Sequence, residues 1–315
     1  MNTLTVIILL AIGLILIIKG GDLFVGASTW FAEAFGLPKM LVGATIVSFA
    51  TTLPELLVSV FAAAKGKTLM AAANAVGSVN ANLGLILGLS AILLPVAVRY
   101  GEFAFKGILM AVICGILWLF SADGQIGYAA DIILLLLFAV FMAENIAAAK
   151  RQTAGTSRSE IQKSELWRNI ALFAVGMGGV VIGADMLVDN GSELARRLGV
   201  SEGIIGVTVI AVGTSLPELV TAVTAAAKKQ PSLSVGNIIG ANIIDLSVIL
   251  PVCSLISGGM TPVEPQTYAL DLPVCFGLTA LSVLPPLFLK KLSRAQGIIL
   301  LLIYICYISY ICIKP

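Results

Sequence analysis

A chain of 315 residues with 59% hydrophobic and 11% charged residues, and a mean hydropathy of +1.05, lies far outside the range of water-soluble domains and reads as an integral membrane protein. A net charge of +2 leaves no broad basic face for nucleic acid, and the absence of histidine removes histidine metal sites and histidine general bases. Carboxylates and hydroxyls are the remaining polar tools.

Apolar windows of about 20 residues predict ten spans, in chain order 2 to 18, 40 to 63, 69 to 94, 103 to 120, 127 to 148, 166 to 188, 203 to 226, 232 to 256, 268 to 289 and 295 to 313. The first stretch lacks a basic leading segment and matches the internal segment 165 to 182, so it is read as a retained span and not as a signal peptide. All five cysteines, Cys114, Cys253, Cys275, Cys306 and Cys312, fall in apolar runs without CxxC pairs, which predicts buried packing.

The chain is one unit written twice. VGATIVSFATTLPELLVS recurs as IGVTVIAVGTSLPELVTA at an offset of 163 residues, and the register holds from Asp22/Asp185 to Asn82/Asp245. Five spans per copy is an odd number, so the copies must enter the membrane from opposite sides. The expected fold is therefore an all-α membrane protein of ten transmembrane helices in two inverted five-helix repeats, residues 1–149 and 166–315, joined by a polar cytoplasmic linker at 150–165.

Orientation follows from Lys and Arg in alternate loops, because cytoplasmic loops carry the excess. One side takes thirteen; the other takes Lys65, Lys67, Arg196, Arg197 and Lys314. A multi-pass protein of the cell membrane with both termini outside is expected. Oligomeric state stays open.

Each copy places a Pro-Glu pair inside an apolar run, Pro54-Glu55 and Pro217-Glu218. Proline breaks the helix, and an ionised carboxylate is unfavourable in lipid. Carbonyls near Ser48 to Ala50 and Ala211 to Gly213 should lose partners there, beside the hydroxyls of Thr51, Thr52, Thr214 and Ser215. The next span of each copy supplies NAVGSVNAN (Asn74 to Asn82) and NIIGANIID (Asn237 to Asp245). Glu55, Glu218 and Asp245 then bring three negative charges, with no basic residue in the same motifs, so cations or protons must neutralise them. An all-oxygen site suits hard cations, Ca2+ or Na+, whereas zinc and copper favour nitrogen and sulfur.

Small residues Gly43, Ala44, Gly77, Gly84, Gly88, Gly206 and Gly240 should let spans 2, 3, 7 and 8 approach closely. A lone Pro-Glu pair could be a structural kink, but two at one register with flanking hydroxyl and amide motifs favour a site. Asp22 and Asp185 are read as interfacial or capping groups at span ends, and Glu144 and Asp271 as solvated or interfacial.

At these motifs the chain resembles the cation/calcium exchanger family, in its prokaryotic Na+/Ca2+ exchanger branch, whose two alpha repeats carry GTSLPE and GNxxGSN-type elements. AVGTSLPE followed by GNIIGANIID matches closely; SFATTLPE followed by ANAVGSVNAN is looser. The resemblance implies spans 2, 3, 7 and 8 as a core with spans 1 and 6 sliding across it. It implies Thr51, Glu55, Ser78, Asn82, Thr214, Ser215, Glu218 and Asp245 as ligands, with carbonyls at Ser48 and Ala211. Departures are Ala50 and Ala73 for glycines, Thr52 for serine, Val79 for an amide and Ala241 for a hydroxyl.

The function expected is secondary active antiport of Na+ against Ca2+ by alternating access, the ions being cargo and no cofactor being needed. Proton coupling on the same fold, with Glu55 or Glu218 exchanging H+, is the alternative. A cation channel is a further one, since acids and carbonyls also line pores, although broken helices in inverted repeats favour a carrier. The chain shows no nucleophile-base arrangement, nucleotide loop or redox motif, so an enzyme is not expected.

Overall fold

A computed structural model describes residues 2–153, 162–198, 213 and 215–313. Helix α1 spans Thr3–Ala34, α2 Lys39–Thr51, α3 Leu53–Ala64, α4 Ala71–Leu93, α5 Tyr100–Phe120 and α6 Tyr128–Arg151. Further along the chain come α7 Lys163–Leu194, α8 Leu216–Ala227, α9 Pro231–Ile256, α10 Thr267–Leu289 and α11 Arg294–Ile313. Helix continues to Thr153 and resumes at Lys163, within the predicted 150–165 linker, whose residues 154–161 lie outside the described residues. Among the described residues eight helices are long and apolar enough to cross a membrane, and the α2/α3 pair, bent by 43°, makes up to a ninth. The predicted span 203 to 226 falls partly outside the described residues and is seen as the short apolar α8.

Burial sorts these helices. In α4 and α9 the most apolar windows are 72% and 83% inside the protein, against 17% in α6 and 22% in α11. The amide- and hydroxyl-bearing helices are thus central. The outer helices turn Leu, Ile and Phe side chains outward, where a bilayer would solvate them.

Glycine decides how closely the helices approach. A side chain on Gly43 would strike the carbonyl of Leu233, one on Gly236 that of Met40, and a Cβ on Gly240 would lie 2.6 Å from the carbonyl oxygen of Ala44. Helices α2 and α9 therefore cross backbone to backbone. Gly77, the repeat partner of Gly240, faces open space, and Gly88 packs on Gly297 and Leu301 of α11. Among the described residues the predicted small-residue seam is therefore confined to α2/α9; Gly84 packs on Tyr304 of α11, and Gly206 lies outside the described residues.

Helices α1 and α7, equivalent under the 163-residue offset, cross antiparallel. A Cβ on Gly13 would lie 3.0 Å from the carbonyl oxygen of Gly183, and one on Gly20 would lie 2.7 Å from that of Gly176. Gly13 corresponds to Gly176 and Gly20 to Gly183, so the contact is reciprocal. Both helices run past their predicted ends. Asp22 consequently sits inside α1, where Lys228 Nζ lies 3.5 Å from its carboxylate and donates to its carbonyl at 2.6 Å. Asp185 is likewise inside α7.

Two short ribbons depart from the all-α expectation. β1 (Val96–Ala97) pairs antiparallel with β4 (Lys291–Leu292), and β2 (Gln125–Gly127) with β3 (Met260–Pro262). Each joins a loop of the first copy to a loop of the second. The pairing puts Arg99 beside Lys290 and Lys291 at one end of the helices and the 121–127 and 257–266 loops at the other.

Two expectations are corrected. Cys114, Cys253 and Cys275 are buried, but Cys306 and Cys312 are exposed, because α11 lies at the periphery. Asp271 is buried, 8% exposed, accepting from the Tyr307 hydroxyl at 3.0 Å, while its carbonyl accepts from Asn80 Nδ2 at 3.1 Å. It thereby joins α10 to α4 and α11.

Candidate cation-binding site

The break between α2 and α3 falls at Thr52, and Pro54 sits in the first turn of α3, where its missing N–H leaves no intrahelical bond unmade. Glu55 follows in the same turn; Glu218 occupies the same place in α8 after Pro217. Both carboxylates therefore stand at helix N-termini, whose unpaired N–H groups favour negative charge. The Ser48 carbonyl is not freed as expected. It accepts from the Thr52 N–H at 2.9 Å, because the chain closes that bond before it bends.

In α4 and α9 the helix widens into a π-turn starting at Asn82 and at its repeat partner Asp245. Such one-turn widenings turn side chains out of the regular helical register and are frequent at functional sites. Ser48, Thr51, Thr52, Glu55, Ser78, Asn82, Ser215, Glu218 and Asp245 are all buried. Ala211 and Thr214 lie outside the described residues.

Few protein partners meet these groups. Among the described residues both carboxyl oxygens of Glu55, both of Asp245, Glu218 Oε2, Asn82 Oδ1, Ser78 Oγ and Ser215 Oγ are buried without a hydrogen-bond partner. The charges of Glu55, Glu218 and Asp245 act on one another. No lysine or arginine of the described residues pairs with any of them. Uncompensated acids in such a setting are strongly unfavourable unless a cation or proton joins them. Nor do the described residues bring three His, Cys, Asp or Glu side chains into a ready-made cage, so amide and hydroxyl oxygens would have to complete any coordination.

Two side chains absent from the sequence-derived set contribute. Thr51 Oγ1 lies 3.1 Å from Asn237 Oδ1, tying α2 to α9. Asn82 Nδ2 donates to Asn242 Oδ1 at 2.9 Å, while Asn242 Nδ2 points to Met110 Sδ at 3.7 Å. That chain engages the amide nitrogen of Asn82 and leaves its oxygen available. Asn237 was legible as the repeat partner of Asn74; Asn242 was masked by matching Val79. Asn74 itself is only half-buried and donates to Ser59 Oγ at 3.0 Å, outside the cluster.

The fold and these buried acids define a multi-pass membrane protein with a charged interior at broken helices. The chain belongs to the sodium/calcium exchanger protein family, whose model matches residues 5–147 and 168–313. It is 34% identical over 275 residues to the inner membrane protein YrbG of Escherichia coli, covering 84% of each chain. It is 27% identical over 350 residues to the sodium/calcium exchanger MaX1 of Methanosarcina acetivorans, covering 96% of this chain and 97% of the relative. The solved structure of the sodium-calcium exchanger NCX_Mj soaked with Na+ and Sr2+ superposes with a TM-score of 0.85 at 30% identity, covering 98% of this chain and 99% of that one.

Proposed function

We propose that this protein exchanges Na+ for Ca2+ across the cell membrane by alternating access, with the ions bound among the buried oxygens of Glu55, Glu218, Asp245, Asn82, Ser78 and Ser215. Thr51, Thr52, Thr214 and the carbonyl of Ala211 complete the proposed set; the Ser48 carbonyl, which already accepts from the Thr52 N–H and the Thr51 hydroxyl, is left out of it. The observation that carries the reading is the group of buried, partnerless oxygens, three carboxylates among them, where four helices meet and no basic side chain of the described residues pairs with them. Hard cations with flexible all-oxygen coordination fit it, Ca2+ above all.

Access would switch only when the carboxylates are neutralised, either by one Ca2+ or by several Na+, because uncompensated charge in a low-dielectric core raises the barrier. We take the fold as ten spans in two inverted repeats, 1–149 and 166–315, with both termini outside. The reciprocal antiparallel α1/α7 crossing and the partner-exchanged ribbons support that arrangement. The glycine-lined α1/α7 pair suits motion as a unit against the α2/α9 core.

The test is 45Ca2+ uptake into proteoliposomes loaded with Na+. Uptake driven by outward Na+ and abolished in Glu55→Gln and Glu218→Gln is the expected result; uptake retained by both variants refutes the site. Uptake driven by a pH gradient without Na+ would assign the coupling to protons.

A further inference from the structure

A cavity of about 370 Å³ lies between α2, α5 and α6, lined by Pro38, Arg99, Glu102, Lys106, Glu144 and Arg151 among others. Lys106 is 5% exposed, although it carries an ammonium group. A buried lysine ordinarily pairs with an acid, and two acids line this cavity. Both are engaged: Arg99 Nη1 lies 3.4 Å from Glu102 Oε1, and Arg151 Nη2 lies 2.5 Å from Glu144 Oε1. Among the described residues no carboxylate comes within ion-pair distance of Lys106 and no acceptor takes a hydrogen bond from it. The cavity thus presents three cations against two acids, with the surplus on a lysine that is 5% exposed.

Its position indicates what would supply the missing anion. Lys106 stands six residues into α5, about 9 Å along the helix axis. This helix end carries the β1/β4 ribbon and the basic side of the Lys/Arg partition. On the same helix Phe105 and Ile108 are exposed apolar side chains, 37% and 46%, and Tyr100 at the start is 61% exposed, as at a membrane interface. Met40 and Leu41 give the cavity an apolar wall. A ligand joining a phosphate to hydrocarbon chains satisfies both parts, and basic pockets between spans on this side suit anionic headgroups.

We propose that this cavity binds the phosphate of an anionic membrane phospholipid, with the Lys106 ammonium as its principal contact. The site is separate from the buried carboxylates and does not depend on which ion drives exchange.

The test measures phosphatidylglycerol retained by the full-length protein in native mass spectrometry, for the wild type, Lys106→Gln, Glu144→Gln and the exposed control Lys291→Gln. Lys106→Gln should weaken phosphatidylglycerol binding about tenfold, equivalent to about 1.4 kcal/mol. Glu144→Gln, which removes an acid and frees Arg151, should strengthen it several-fold; Lys291→Gln should leave it unchanged. Equal retention by a folded Lys106→Gln protein overturns the proposal. Should Lys106→Gln fail to fold, Glu144→Gln decides: unchanged binding overturns the proposal equally. Thermal stabilisation by millimolar inorganic phosphate alone, lost in Lys106→Gln and unmatched by phosphatidylglycerol, would assign the site to a soluble anion and overturn the lipid assignment.

Discussion

The Thr52 hydroxyl, at the break of one repeat, lies 3.5 Å from Glu218 Oε1 of the other, whereas Ser215, the repeat partner of Thr52, leaves its hydroxyl unengaged and Glu55 with neither oxygen hydrogen-bonded. The two glutamates, alike in sequence, stand in unlike surroundings. Thr52→Ala should therefore raise the half-saturating Ca2+ concentration about threefold to tenfold, since a hydrogen bond as long as 3.5 Å should contribute no more than an ordinary one, about 0.5–1.5 kcal/mol. Thr52→Ser should retain wild-type behaviour. Concentration-dependent 45Ca2+ flux measures both.

Charge is the second asymmetry, because the π-turns begin at an amide in one repeat and at an acid in the other. Asn82→Asp adds a fourth carboxylate and should raise the cation charge needed for switching. Asp245→Asn should lower it. Charge moved per cycle and the Hill coefficient for Na+, measured on solid-supported membranes, should shift in opposite directions in the two variants.

Asn242 holds the amide nitrogen of Asn82 at 2.9 Å. Asn242→Ala should let the Asn82 side chain rotate, raising the half-saturating Ca2+ concentration about tenfold, equivalent to 1.4 kcal/mol, while maximal flux changes little. An equal loss of maximal flux would point to misfolding in place of mispositioning.

Ligand removal should expose the unbalanced charge. Ca2+ added at about 100 times its dissociation constant should stabilise the purified protein by about 2.7 kcal/mol. The gain should vanish in Glu55→Gln and Glu218→Gln. Differential scanning fluorimetry in sodium-free buffer checks this.

Two repeat-related glycines make a packing test. Gly240→Ala places a Cβ 2.6 Å from Ala44 O and from Ser48 Oγ, and overpacking of this kind typically costs about 1–3 kcal/mol. Gly77→Ala meets nothing within 4 Å and should be neutral or slightly stabilising. A difference in melting temperature between the two variants is the readout.

Much of the molecule was legible in the chain alone. The 163-residue repeat matched Glu55 with Glu218, and apolar windows located the eight to nine spanning helices seen among the described residues, because a helix in lipid must satisfy its backbone internally and declares itself by hydropathy. The buried charge was legible for the same reason: no basic residue accompanies it. Helix ends were less so. The Lys19 to Asp22 segment looked like a span boundary, yet α1 continues to Ala34: Gly20 packs on α7, Gly21 on α8, and Lys228 pairs with Asp22.

What the tertiary structure alone decided is how equivalent positions come to differ. Repeat matching treats Gly77 as Gly240, Thr52 as Ser215 and Asn74 as Asn237, but only one member of each pair meets the other repeat at close range. Asp271 and Lys106, which have no counterparts of their own kind, acquired their surroundings from helices distant in sequence. A sequence specifies which groups are apolar, charged or able to break a helix, because those are local properties. Which oxygen is left without a donor, and which ammonium without an acid, depends on packing between helices, and packing belongs to the fold.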